Sequence, residues 1–164
     1  MRLFLGIRAK LKCYEEIKKD FHHIFEGKWV EEKNLHTTLY FFGDVKNADL
    51  IKQKLQTVTF PKEKIILKGI GTFGYPPKIL FVNPKNNIYQ KSRLHLEELF
   101  GKTDKKFYPH ITILRIKKIL DSNFKERIKK YKNRELGHLE KEAILFKSKL
   151  TKEGAIYKEL EVFL

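Results

Sequence analysis

Two short stretches of the chain repeat one arrangement of chemically capable side chains, His36-Thr37-Thr38-Leu39 and His110-Ile111-Thr112-Ile113. An imidazole, with an ordinary pKa near 6.5, accepts or releases a proton close to neutral pH. A threonine hydroxyl two residues further on can donate a hydrogen bond to an anionic oxygen. Side chains on a strand alternate faces, so His36 projects with Thr38 and His110 with Thr112. Brought into one cleft, the four groups can take a phosphodiester apart. One imidazole serves as base and its twin as acid, while the hydroxyls hold the non-bridging oxygens. Nothing in that scheme requires a metal ion or a cofactor. A single His-x-Thr commonly marks no more than a hydrogen-bonded or surface histidine. Two copies on otherwise apolar strands carry more weight, because an inward polar group left unsatisfied costs about 1 to 3 kcal/mol, and a cleft removes that cost.

The elements that must present the motifs recur as well. Residues 2–8 read as a strand, and Tyr14, Ile17, Phe21, Ile24 and Phe25 fall at helical spacing up to a stop at Gly27. Residues 35–42 read as a strand closed by Gly43-Asp44. A helix carrying Leu50, Ile51 and Leu55 follows a cap at Asn47 or Asp49, and residues 64–71 read as a single strand. After Gly74-Tyr75-Pro76-Pro77 the order restarts with strand 79–82, helix 88–100 stopped by Gly101, strand 108–116, helix 122–131 and strand 142–150. A last strand covers 155–164. The motif histidines stand 74 residues apart (36 to 110), and Gly27-Lys28 recurs at Gly101-Lys102 with the same offset. The expectation is a duplicated β-α-β-α-β unit, approximately residues 2–72 and 76–146. The two units would be related by a pseudo-twofold axis with the active cleft between them, packed as one bilobed domain over residues 1–164.

Composition sets the outer limits. A chain of 164 residues that is 41% hydrophobic, with 13 Phe and 7 Tyr, can fill a core, which excludes disorder. The lone Cys13 excludes an intramolecular disulfide and a cysteine-rich zinc site. A formal charge of +15 attracts polyanions, nucleic acid first among them, although a solvated Lys/Glu-rich surface gives the same sum. No apolar run reaches the roughly 18 to 20 residues of a membrane span, and the opening residues are too soon charged for a signal peptide, so a cytoplasmic location is expected. His22, His23 and His95 on helices, and His138 in a charged turn, have no repeated partner or carboxylate at metal-ligand spacing and are read as non-catalytic. The glycines of Lys68-Gly69-Ile70-Gly71-Thr72-Phe73 lack the ending of a phosphate-binding P-loop.

With these residues in hand the chain resembles the 2H phosphoesterases, most closely the RNA 2′,3′-cyclic phosphodiesterase family, also called 2′-5′ RNA ligase. The likeness runs through Met1-Arg2-Leu3-Phe4-Leu5-Gly6-Ile7, Asn34-Leu35-His36-Thr37-Thr38-Leu39-Tyr40-Phe41-Phe42-Gly43 and Phe107-Tyr108-Pro109-His110-Ile111-Thr112-Ile113-Leu114-Arg115. It continues in Leu145-Phe146-Lys147-Ser148-Lys149-Leu150 and Gly154-Ala155-Ile156-Tyr157. The resemblance implies an α+β, bilobed fold with antiparallel sheets, one lobe holding both termini, so that the linear halves need not coincide with the lobes. It implies hydrolysis of RNA 2′,3′-cyclic phosphate ends, tRNA fragments among them, to 2′-phosphate ends by a monomer. His36 would be proton donor and His110 proton acceptor, with Thr38 and Thr112 on the phosphate and 2′-5′ ligation as the related transfer. The sequence departs from the family in Ile113-Leu114-Arg115, where Leu-Ala-Arg is common, and in Lys78, where Arg is common. Tyr40 shares the ideal face of His36 and is a candidate to stack a base. Arg115, a candidate substrate contact, faces away from His110 on a regular strand unless a bulge turns it. Two other readings use the same residues: a non-catalytic RNA-binding module, and a phosphodiesterase for another cyclic or 2′-5′-linked nucleotide.

Overall fold

The apolar run that opens the chain is longer than its alternation suggests, and the reason is burial on both sides. In a computed structural model, which describes residues 1–84 and 87–164, strand β1 (Arg2–Leu11) is covered on both faces from Leu3 to Leu5. It lies between β3 (His36–Asp44) and β8 (Glu135–Thr151), antiparallel to each. The remaining strands are β2 (Phe25–Trp29), β4 (Ile65–Lys68), β5 (Ile70–Phe73), β6 (Ile79–Val82), β7 (Ile111–Ile119) and β9 (Gly154–Phe163). Helices α1 (Tyr14–Phe21), α2 (Asp49–Leu55), α3 (Gln90–Phe100) and α4 (Phe124–Lys129) complete an α+β fold.

The strands join in the order β4-β8-β1-β3-β7-β6-β5, with β2 added on β7 and β9 on β8, and every pairing is antiparallel. One half of the sheet thus holds β1, β3, β4, β8 and β9, and the other β2, β5, β6 and β7. Among the described residues they meet at one ladder pair, Thr37 opposite Ile111. Those two residues are themselves 74 apart, the offset of the motifs. An antiparallel pair is locally twofold, so this register places the axis of the repeat between the two histidine-bearing strands. The linear halves do not coincide with the halves of the sheet, since the first contributes β2 and nearly all of β5 to one and β1, β3 and β4 to the other.

Helical side chains such as Ile17, Phe21, Leu55 and Leu96 fill the main core on one face of the sheet. On the other face of β1 a small cluster of Phe4, Ile144 and Phe146, with Tyr157 against it, stands apart from that core.

Three expectations are corrected. Helix α1 ends at Phe21, and Ile24 and Phe25 belong to a turn and to β2 instead of prolonging it. Gly27 is therefore no helix stop. It faces Ile116 in the β2–β7 ladder, where an added Cβ would sit 2.1 Å from the Arg115 carbonyl, so close strand approach demands glycine there. Gly101, its counterpart in sequence, does end α3, at φ 106°. The single strand read over 64–71 is two strands, because Gly69 at φ 82° turns the chain from β4, paired to β8, into β5, paired to β6. His138, assigned to a turn, lies in β8 opposite Lys10 and Ile66.

Candidate active site

Both motifs open a strand or lie at its threshold, and the same irregularity follows each. Thr38 stands opposite Gly6 and Tyr40 opposite Leu5, so β3 carries one extra residue at Leu39. Thr112 stands opposite Phe81 and Leu114 opposite Leu80, so β7 carries one at Ile113, the position 74 residues on. Such a bulge reverses the facing of everything beyond it. Its carbonyl is taken up by other elements in each half: Arg93 Nη1 donates to Leu39 O at 2.7 Å, and the Val30 amide and Tyr14 hydroxyl donate to Ile113 O at 2.9 and 3.2 Å.

The consequence is a cleft of about 620 Å³ that spans the junction and is lined by His36, Thr38, His110 and Thr112 together. The bulges also decide the two weaker candidates. Beyond Leu39 the facing is reversed, so Tyr40 leaves the cleft: it is buried, and its hydroxyl donates to the Gly101 carbonyl at 2.7 Å. A base-stacking role for Tyr40 is thereby corrected, and Phe41 takes its place in the lining. The same reversal brings Arg115 into the lining, where a regular strand would turn it away. Thr37, between His36 and Thr38, faces the core fully buried, with its hydroxyl unpartnered among the described residues.

Each imidazole is anchored alike. His36 Nδ1 lies 2.7 Å from the Asn34 carbonyl and His110 Nδ1 lies 2.8 Å from that of Tyr108, in both cases the residue two before. A carbonyl only accepts, so each Nδ1 carries the hydrogen and Nε2 is left free to exchange a proton. Rings hold them in place: Phe4 and Tyr157 stand 4.9 and 5.2 Å from His36, and Phe73 and Phe81 stand 4.8 and 5.7 Å from His110. Burial among these rings lowers the His36 pKa to about 4. The Asn34 carbonyl opposes that shift, and the positive charges of His110, Arg115 and Arg8 add to it. The His110 pKa is lowered too, first by burial and then by Arg115, against the pull of the Tyr108 carbonyl. Both imidazoles are therefore neutral at neutral pH.

Sequence reasoning missed several lining residues. Arg2 and Lys28 add positive charge to that of Arg115, and none of the three forms an ion pair among the described residues; Glu31 and Glu153 also line the cleft. Asn34 ties the His36 anchor to the β8–β9 hairpin through a 3.2 Å bond from its amide to the Ala155 carbonyl. Lys28 had no readable signal, since β2 itself was not legible. His22, His23, His95 and His138 line no part of the cleft. Among the described residues, no three His, Cys, Asp or Glu side chains gather to hold a metal ion, and no helix is long and apolar enough to cross a membrane.

Comparison with known proteins agrees with this geometry. A profile described as LigT-like phosphoesterase matches the chain twice, over residues 12–81 and 82–157. An RNA 2′,3′-cyclic phosphodiesterase of Archaeoglobus fulgidus is 33% identical, over 99% of this chain and 99% of its own. One of Methanocaldococcus jannaschii is 36% identical, over 98% of this chain and 99% of its own. Among solved structures, E. coli LigT complexed with 3′-AMP has the same fold, with a TM-score of 0.78 at 19% identity over 99% of this chain and 96% of that one. A Thermus thermophilus protein is similar at a TM-score of 0.73 and 25% identity, over 99% and 97%. With the profile matching in both halves and relatives alike over nearly their whole lengths, the chain belongs to the LigT-like phosphoesterase family.

Proposed function

We propose that the protein hydrolyses the 2′,3′-cyclic phosphate at RNA ends to a 2′-phosphate, without a metal ion, by paired action of His36 and His110. The observation that carries this reading is the meeting of two identically anchored imidazoles and two hydroxyls in one cleft. The names and close likeness of the relatives supply the substrate. His110 Nε2 accepts a proton from the attacking water, and His36 Nε2 gives one to the departing 3′ oxygen. The P–O3′ bond breaks as the new P–O bond forms, and Thr38 and Thr112 hold the non-bridging oxygens. A neutral His36 is no acid. A bound phosphodiester anion favours the charged imidazole against the burial that chiefly lowers its pKa and against the nearby Arg115 and Arg8, so the donor is charged with substrate in place. A 5′-hydroxyl in the position of the water would give a 2′-5′ linkage by the same displacement.

The test is turnover of a nucleoside 2′,3′-cyclic phosphate in EDTA by the wild type and by His36→Ala and His110→Ala. Each variant is expected to lose on the order of 10²- to 10⁴-fold in kcat, with the wild type unaffected by EDTA. Full turnover in both variants defeats the mechanism, and chelator sensitivity defeats metal independence. Absence of wild-type turnover favours a binding module.

A further inference from the structure

The two halves of the cleft carry the same histidines and hydroxyls but differ in fixed charge. On β7, past the bulge at Ile113, Arg115 stands opposite Ile79 of β6 and opposite Lys28 of β2, and all three line the cleft. Directly opposed side chains on neighbouring strands lie about 5 Å apart at Cβ, and like charges so placed repel. Neither Arg115 nor Lys28 forms an ion pair among the described residues. Of the two acids in the lining, Glu31 is paired with Lys33 at 3.5 Å, and Glu153 approaches neither cation closely enough to pair. The other half has no such arrangement. Phe41 stands where Arg115 does, and Lys102, the residue 74 on from Lys28, lies outside the lining. Arg2, the third cation of the lining, is laid over the Phe41 ring, 4.7 Å from its centroid.

Lys28 also reaches from one half of the sheet to the other. Its side chain runs from β2 to the turn between β8 and β9, where Nζ lies 2.7 Å from the place that a Cβ on Gly154 would take. The turn has no side chain at that point, and the ammonium fits against it. Arg115 lies two ladder steps beyond Thr112, about 7 Å, and Lys28 one strand, about 5 Å, to its side. A cation so placed is too far along for an oxygen of the phosphate held by Thr112. It is at the range of the next phosphate on a nucleic-acid strand. Repelling cations with no acid between them complete their pairing with an anion brought by the substrate.

In the displacement described above, the 3′ oxygen leaves toward His36 and the nucleophile enters beside His110, on the β7 side where Arg115 and Lys28 stand. Water brings no charge there and has no use for two cations. We propose that Lys28, together with Arg115, is the subsite for the first internucleotide phosphate of a 5′-hydroxyl RNA strand whose 5′ oxygen attacks in place of water. The proposal rests on the RNA-end reading above. The 5′ hydroxyl gives its proton to His110 Nε2 as its oxygen bonds to phosphorus. The P–O3′ bond breaks, and the 3′ oxygen takes a proton from His36 Nε2, leaving a 2′-5′ diester and a free 3′ hydroxyl. Lys28 thus sets how the cyclic end divides between transfer and hydrolysis.

The test is one reaction with two products. Adenosine 2′,3′-cyclic phosphate is given to wild type, Lys28→Met and Lys28→Arg with a 5′-hydroxyl trinucleotide in excess. The first linkage of the trinucleotide is either native or a neutral methylphosphonate. The ratio of 2′-5′-joined product to adenosine 2′-monophosphate is read, and it does not depend on how much of a variant is folded. With the native acceptor Lys28→Met should lower the ratio about 10- to 100-fold, the loss of one bond to a charged group, and Lys28→Arg should restore it. With the methylphosphonate acceptor wild type should already be low and Lys28→Met no lower. A ratio unmoved by Lys28→Met overturns the subsite, as do equal ratios for the two acceptors in wild type or hydrolysis by wild type with no joined product. If wild type turns over no cyclic phosphate, the RNA-end reading fails on its own and calorimetry with the two trinucleotides decides. Binding of the native trinucleotide weakened in Lys28→Met, with that of the methylphosphonate unchanged, upholds the subsite, and equal binding of both by wild type overturns it.

Discussion

His36 shows what it takes to keep an imidazole ready among packed rings. Its Nδ1 is tied to a backbone carbonyl and its ring is enclosed by Phe4 and Tyr157, so burial holds its pKa near 4, well below the ordinary 6.5. Above pH 6.5 the unfolded chain also carries this histidine neutral, and the shift has no effect on stability. As pH falls from 6.5 toward 4 the unfolded chain takes up a proton that the folded one refuses, and stability is lost until the folded pKa is passed. His36→Gln escapes that loss. Between pH 7.5 and pH 4.5 its stability relative to wild type should rise by about 2 kcal/mol, measured by urea unfolding at the two pH values. A constant difference would show that His36 is not held neutral by the fold.

The bulges at Leu39 and Ile113 decide at the level of the strand which side chains reach the cleft. In β3 the bulge depends on Arg93, which is buried and bonded at once to the Leu39 carbonyl, to Glu97 at 2.9 Å and to Thr103 at 2.7 Å, with Tyr40 and Phe107 against its plane. Arg93→Met leaves the carbonyl and the Glu97 carboxylate without their partner and should cost about 3 kcal/mol, read as a lowered urea midpoint. Loss of less than about 1 kcal/mol would remove Arg93 from this role. The bulges also explain which side chains could be placed from sequence. His36 with Thr38 and His110 with Thr112 lie before the extra residue, so simple alternation placed them correctly. Tyr40, Phe41 and Arg115 lie after it, and no pattern of residue types announced a residue without a partner. Strand β2 was hidden for another reason: Glu26, Gly27 and Lys28 look unlike a strand, and their conformation comes from pairing with β7, some ninety residues on. Gly69 hid a change of partner inside what reads as one strand.

For the molecule as a whole, the +15 charge acts at a longer range than the cleft. Arg2, Lys28 and Arg115 sit at the site, and the rest of the positive surplus lies outside its lining. A mononucleotide can use only the charges at the site, whereas an RNA strand engages several cations through its backbone. Log KM plotted against log salt should therefore have a slope of about 2 or more for a ten-residue RNA bearing a cyclic end, and below about 1 for a nucleoside cyclic phosphate. Equal slopes would show that the outer charge takes no part in binding. The meeting of chain segments far apart in sequence has a consequence for how the molecule is made. β1 completes its ladder against β8, with Leu11 opposite Gly137, and Phe4 and His36 need Phe146 and Tyr157 to close around them. During vectorial synthesis the amino-terminal histidine therefore emerges long before its enclosure exists. The nascent chain carries an open sheet edge and no working site until the last hairpin leaves the ribosome.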